Sequence, residues 1–235
     1  TYYFESKNIK NIVYFYSTNN VPIVYEKDKI ENIQHFISHG WELMNWKNYF
    51  VWDDYQKVFF SNFFNLKESY FETVGPIPFG GNSFQLINKK KIISVFDVSP
   101  FSNIILKKLC LPEQYYNFEN IKKFYEAIIK SNCDYHMVFK IKRLSKLTDL
   151  NYLKYIKSLK KEGFDIHDDI CPFSLIKSSS KVISLPFSSP SIIAKHYNID
   201  SIFFDPTNKL KFLNDYKFVN HGIQILDNNE IKNWL

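Results

Sequence analysis

Short, almost wholly apolar runs rich in β-branched residues recur down the second half of this sequence, each followed by residues at helical spacing. The longest is Lys91-Ile92-Ile93-Ser94-Val95-Phe96-Asp97-Val98, stopped by Ser99-Pro100, and the next is Tyr135-His136-Met137-Val138-Phe139. Shorter ones occupy Phe164–His167, Lys181–Leu185 and Ser201–Asp205. A strand that is apolar throughout must be covered on both faces. Strands of that kind alternating with helices are joined as βαβ units into a parallel sheet. The expected fold class is therefore α/β, a doubly wound, Rossmann-like parallel sheet in the C-terminal part.

The intervening segments carry helix signals. Phe118, Ile121, Tyr125, Ile128 and Ile129 recur at helical spacing behind a candidate Asn117 cap. Leu150, Leu153, Ile156 and Leu159 predict a second buried helical face, closed by Gly163. Further helices are expected to open near Pro172 and Ser189, and a terminal one at Asp227-Asn228-Asn229-Glu230. In such sheets ligands bind outside the carboxyl ends of the strands. The loops after Val98, Phe139, His167, Leu185 and Asp205 are the ones expected to carry a site.

Residues 1–80 read differently. Asn11–Ser17 and Tyr70–Val74 predict strands and Asp53–Phe64 an aromatic-rich helix, with mixed periodicity around Trp41, Trp46 and Trp52. Gly75-Pro76-Ile77-Pro78 followed by Gly80-Gly81-Asn82 is the strongest turn cluster, and it sets the expected domain boundary. On this reading residues 1–80 are the end of an incomplete N-terminal α/β domain, and 81–235 form a C-terminal Rossmann-like domain. The start at Thr1 instead of Met fits a trimmed or partial chain.

Composition narrows the function classes. With 18% aromatic residues and only 6 glycines in 235 residues, disorder is a poor reading. No apolar run approaches the roughly 20 residues that span a bilayer. The net charge of +6 rests almost wholly on lysine, Arg143 being the sole arginine. Sequence-specific nucleic-acid readers rely on arginine forks, so no nucleic-acid partner is expected. A basic surface suits anionic lipid headgroups or phosphorylated substrates, or is simply a lysine-coated solvent face. Cys110, Cys133 and Cys171 lack paired spacing, which argues against a disulfide framework or zinc site and fits a reducing cytosol. The phosphate-loop, dinucleotide-fingerprint, zinc-protease and esterase motifs are all missing from the sequence.

Five constellations stand at candidate positions. In Leu185-Pro186-Phe187-Ser188-Ser189-Pro190-Ser191 a buried strand ends, hydroxyls follow and a proline enters the first helical turn. Helix-start amides with Ser188, Ser189 and Ser191 would cradle a phosphate, although a plain serine cap explains the same letters. Lys140, Lys142 and Arg143, just past another strand, are placed to neutralise a diphosphate without a metal, or form a solvated basic loop. His167-Asp168-Asp169 with Phe173 would hold a ribose or base, or act as an acidic helix cap. Asp205-Pro206-Thr207 reads as a turn or a cleft position, and Asp97 and Ser99 stand at the end of the first long strand. His39-Gly40 is a candidate general base, its unperturbed pKa lying near neutral.

The run Val182-Ile183-Ser184-Leu185-Pro186-Phe187-Ser188-Ser189-Pro190-Ser191-Ile192-Ile193-Ala194-Lys195, leading to Ser201-Ile202-Phe203-Phe204-Asp205-Pro206, resembles bacterial surface-polysaccharide biosynthesis proteins of the GT-B glycosyltransferase type. Val95–Pro100 looks like the opening strand of their C-terminal domain, and Trp46–Asp53 with Val74–Ile77 is similar to the segment before it. The resemblance implies two Rossmann-like domains around a cleft, the C-terminal one holding a nucleotide sugar. It implies that Ser188 and Ser189 receive the donor phosphate, helped by Lys140, Lys142 and Arg143. The paired serines are similar to those holding the phosphate of CMP in sialyl- and Kdo-transferases, and His39-Gly40 looks like a histidine-glycine loop of some relatives.

The expected function is thus a metal-independent, cytoplasmic glycosyltransferase of capsule or O-antigen biosynthesis. It would use a nucleotide sugar as substrate, with no cofactor, and a glycan or lipid-linked acceptor, peripheral to the inner membrane surface. The competing expectation is a non-catalytic nucleotide- or glycan-binding module of the same fold.

Overall fold

A computed structural model describes residues 6–7, 9–15, 46–63, 69–78, 91–102, 104, 115–131, 134–208, 210 and 221–235. His39, the Gly80-Gly81-Asn82 turn, Cys110 and Cys133 lie outside the described residues. The chain divides into two compact units, Thr1–Ile77 with Lys211–Gly222, and Pro78–Leu210 with Ile223–Leu235.

In the first unit, strands β1 (Val13–Tyr14), β2 (Asn48–Val51) and β3 (Tyr70–Thr73) form a parallel sheet in that order. Helix α1 (Asp54–Phe63) follows β2. Phe15, Tyr49, Val51, Phe59 and Phe60 make the core, with Val13, Trp46 and Phe71 packed against it. The indole of Trp52 donates to Phe15 O at 2.6 Å, and Trp52 N donates to buried Gln56 Oε1 at 2.7 Å. β2 falls where the flanking tryptophans blur the period of the sequence. Its own side chains alternate between half-buried and buried, as a short strand covered on one face should.

The second unit holds six parallel strands, β4 (Ile92–Phe96), β5 (His136–Lys140), β6 (Asp165–His167), β7 (Lys181–Ser184), β8 (Asp200–Phe204) and β9 (Ile225–Leu226). Their spatial order is β6-β5-β4-β7-β8-β9. Counted within the unit this is 3-2-1-4-5-6, the Rossmann order. Every residue of β4 is buried, as a central parallel strand requires.

Helices α2 (Phe118–Lys130), α3 (Leu150–Lys161), α4 (Pro172–Lys177), α5 (Ser189–His196) and α6 (Ile231–Trp234) complete the unit. Asn117 caps α2 through its side chain onto Asn120 N, and Asp149 caps α3 onto Asn151 N and Tyr152 N. Successive strand residues point to opposite faces. Phe204 meets Phe124 of α2 at 5.6 Å, while its neighbour Phe203 meets Phe187, at the entrance to α5, at 5.9 Å. The sheet is therefore covered on both sides.

The buried face of α3 differs from the leucine spacing. Tyr152, Ile156 and Leu159 are buried, whereas Leu150 is 69% exposed. Beyond that helix Gly163 takes φ +94°, where a side chain would be strained. No helix among the described residues is long and apolar enough to cross a membrane.

Candidate functional site at the sheet switch point

The register aligns the carboxyl ends of four neighbouring strands. Phe96 of β4 pairs with Lys140 of β5 and Ser184 of β7, and Lys140 pairs in turn with His167 of β6. The chain leaves β4 for one side of the sheet and reaches β7 on the other, so the order reverses between them. That reversal is where open α/β sheets form a ligand crevice. The loops beginning at Asp97 and Leu185 flank it, and Leu185 N donates to Phe96 O at 3.3 Å.

On the β7 side the strand turns sharply into α5. Phe187 has φ +61°, an unusual conformation for a bulky residue, while its buried ring packs on Phe203. Ser188 N donates to Leu185 O at 3.2 Å and Ser188 Oγ to the same carbonyl at 2.6 Å. Tyr116 Oη donates to Pro186 O at 2.5 Å, pinning the turn from outside. Ser188 occupies the cap position of α5, yet its side chain makes no cap hydrogen bond. Pro190 has no N–H and Ser191 is buried, so the Ser189 amide is the first-turn donor left for another acceptor. Ser189 is half-buried, and its hydroxyl has no partner among the described residues.

The paired serines therefore differ in what they can do. Ser188 spends its proton on the turn, whereas Ser189 keeps one to donate. Ser191 is fully buried: its hydroxyl lies 2.7 Å from Ser184 Oγ and 2.7 Å from Ile202 O. It fastens α5 to β7 and β8 and is not open to a phosphate. Ser191→Ala would strand the Ser184 hydroxyl in the core. An expected loss of about 1–3 kcal/mol is measurable by chemical denaturation.

On the β4 side Asp97 is 6% exposed and accepts from Tyr125 Oη at 2.8 Å, Tyr152 Oη at 2.6 Å and Lys142 N at 2.9 Å. Burial pushes its carboxyl above the usual carboxylate range, against the pull of these donors and the Lys140 charge. Burial and the Asp97 charge raise both tyrosines. Ser99 Oγ donates to Lys142 O at 3.1 Å. Asp97 and Ser99 thus hold the β4 and β5 loops together.

Lys140 is buried, and its Nζ donates to Ile141 O at 2.7 Å and Asp168 O at 3.1 Å. Burial lowers its pKa, opposed by the charges of Asp97 and Asp168. It supports loops instead of facing a ligand. Lys142 and Arg143 are exposed at the same edge.

The remaining candidates fall away from the switch point or turn inward. His167 sits on the edge strand β6 with Nε2 against Asp165 Oδ1, about 10 Å or two strand spacings from β4. Phe173 is 2% exposed inside the core, where no base can stack on it. Asp205 is 1% exposed; it accepts from Tyr115 Oη at 2.5 Å, Thr207 N at 2.9 Å and Leu210 N at 2.9 Å. It organises the turn after β8.

The sequence reading missed the tyrosines that serve these carboxylates. Tyr115 and Tyr152 pass as generic aromatics and Tyr125 as one more apolar helix position. The usable signal was that a buried phenol needs a hydrogen-bond partner, and strand-end aspartates supply one. It also missed His221, which is 1% exposed in the first unit with Nδ1 at 2.6 Å from Asp53 Oδ2.

A family model described as polysaccharide biosynthesis PFTS motif protein matches residues 1–235. The chain belongs to this family. No curated protein matches it.

Proposed function

We propose that this member of the polysaccharide biosynthesis PFTS motif family is a glycosyltransferase of GT-B type whose second unit binds a nucleotide-activated sugar. The observation that carries the reading is the Pro186–Ser189 turn at the sheet switch point, with an uncapped helix behind it. As the glycosidic bond breaks, the leaving phosphate oxygen gains negative charge. The Ser189 hydroxyl and amide, with the α5 macrodipole, would stabilise that charge more in the transition state than before it. Lys142 and Arg143 add positive potential at the same edge, which supports donor binding without a divalent ion. His39 is the proposed base, on the histidine-glycine resemblance alone. The acceptor would be a growing glycan or its lipid-linked precursor at the cytoplasmic face of the membrane.

The test is calorimetry of the full chain with CMP, CDP, UDP and GDP, followed by turnover of the matching nucleotide sugars with and without EDTA. One nucleotide is expected to bind, Ser189→Ala to weaken it about tenfold, and EDTA to leave turnover unchanged. Unchanged affinity in Ser189→Ala would remove the phosphate assignment. Binding without turnover of any donor would make the protein a nucleotide-binding module.

A further inference from the structure

Six consecutive residues past β5, Lys142-Arg143-Leu144-Ser145-Lys146-Leu147, are all exposed. Leu144 is 45% exposed, Leu147 44% and Leu150 69%, and Phe101 beside them is 37% exposed. These side chains are not on a loose loop. Phe101 forms a β-bridge with Thr148, Ser102 N donates to Leu147 O at 3.4 Å, and Asp149 N donates to Pro100 O at 2.9 Å. Ser145 N reaches Thr148 Oγ1 at 2.9 Å, and Leu147 N reaches Ser145 Oγ at 3.2 Å. The fold holds three leucines, spaced three residues apart, out into solvent.

The charge on this stretch of the chain is mostly positive. From Lys142 to Lys161 the sequence carries Lys142, Arg143, Lys146, Lys154, Lys157, Lys160 and Lys161 against a single acid, Asp149, while buried Lys140 beside them is opposed by Asp97 and Asp168. That carboxylate is engaged on Asn151 N at 2.7 Å and Tyr152 N at 3.3 Å as the α3 cap. Apolar side chains projecting from a cation-rich stretch match the boundary of an anionic bilayer, where acyl chains receive the former and headgroups the latter. A protein partner is the poorer match, because lysine is depleted from protein interfaces and leucine from their hot spots.

We propose that Phe101, Leu144, Leu147 and Leu150, ringed by Arg143 and Lys146, form a docking surface for an anionic membrane. It would set the carboxyl edge of the second sheet against the bilayer, within reach of a lipid-linked acceptor. The surface deepens the transferase reading on its acceptor side. Vesicle binding is measured without nucleotide, so the two readings can fail separately.

The experiment is co-sedimentation of the full chain with vesicles of phosphatidylcholine alone and of phosphatidylcholine with phosphatidylglycerol. Binding is expected only to the anionic vesicles, weakened by 0.5 M salt as surface charges are screened. The triple variant Leu144→Ser, Leu147→Ser, Leu150→Ser should lose at least about tenfold in partitioning, with an unchanged melting temperature. Val58→Ser, an exposed apolar control in the first unit, should bind as the parent does. Equal binding by parent and triple variant overturns the proposal, as does no binding to anionic vesicles. A lipid-free dimer that the triple substitution dissociates would overturn it too, assigning the patch to a second copy of the chain.

Discussion

Asp97→Ala is expected to cost about 3–5 kcal/mol of folding stability, lowering the melting temperature by roughly 10 °C. The substitution strands three donors at once, the hydroxyls of Tyr125 and Tyr152 and the amide of Lys142. It also removes the negative charge facing buried Lys140. Asp97→Asn keeps the shape and the acceptor for Lys142 N, and its amide can donate to the tyrosine hydroxyls, so it should cost less than Asp97→Ala. The two variants also separate by pH. The folded Asp97 carboxyl holds its proton to higher pH than the unfolded one. Stability from this group is therefore complete below the unfolded value, about 3.9, and is lost as pH rises through the folded one. Asparagine does not titrate, so Asp97→Asn should gain on the parent as pH rises above about 4. Thermal melts over a pH series starting there check the sign, and a constant difference would remove the burial argument.

Ser189→Asp is expected to weaken nucleotide binding at least about a hundredfold while leaving the fold slightly more stable. A carboxylate about 4 Å from a phosphate repels it by roughly 4 kcal/mol at an effective dielectric of 20. The same charge in the first turn of α5 complements the helix dipole, worth about 0.3–1 kcal/mol. Opposite signs in the two measurements distinguish a ligand-binding position from a structural one. Calorimetry with the nucleotide found for the parent, alongside a thermal melt, provides both. A Ser189→Asp variant that binds as the parent does would move the phosphate elsewhere.

Much of the second unit was legible because buried parallel strands leave a local mark. The run at 91–98 contains β4 and that at 181–185 contains β7, and Asn117 caps its helix as its position implied. The site was legible only as an edge. The strand-end rule put Asp97, Lys140, His167, Ser189 and Asp205 at or just past one edge of the sheet, and the register aligns that edge at Phe96, Lys140, His167, Ser184 and Phe203. What the rule does not carry is which way each side chain turns. Lys140 and Asp205 bind the protein's own carbonyls and amides, Ser191 locks a helix to the sheet, and Phe173 fills the core. The exposed leucines at 144, 147 and 150 were equally hidden, since helical spacing alone placed Leu150 on the inner face.

Local chemistry by itself determined the alternation of strand and helix, because β-branching, helical period and caps act over a few residues. The tertiary structure alone decided the order β6-β5-β4-β7-β8-β9, the switch point between β4 and β7, and the partners of the buried Asp97 carboxylate. Those depend on hydrogen bonds and contacts between residues far apart in the chain, such as Tyr152 with Asp97 and Tyr116 with Pro186. No short window of sequence contains both partners of such a bond.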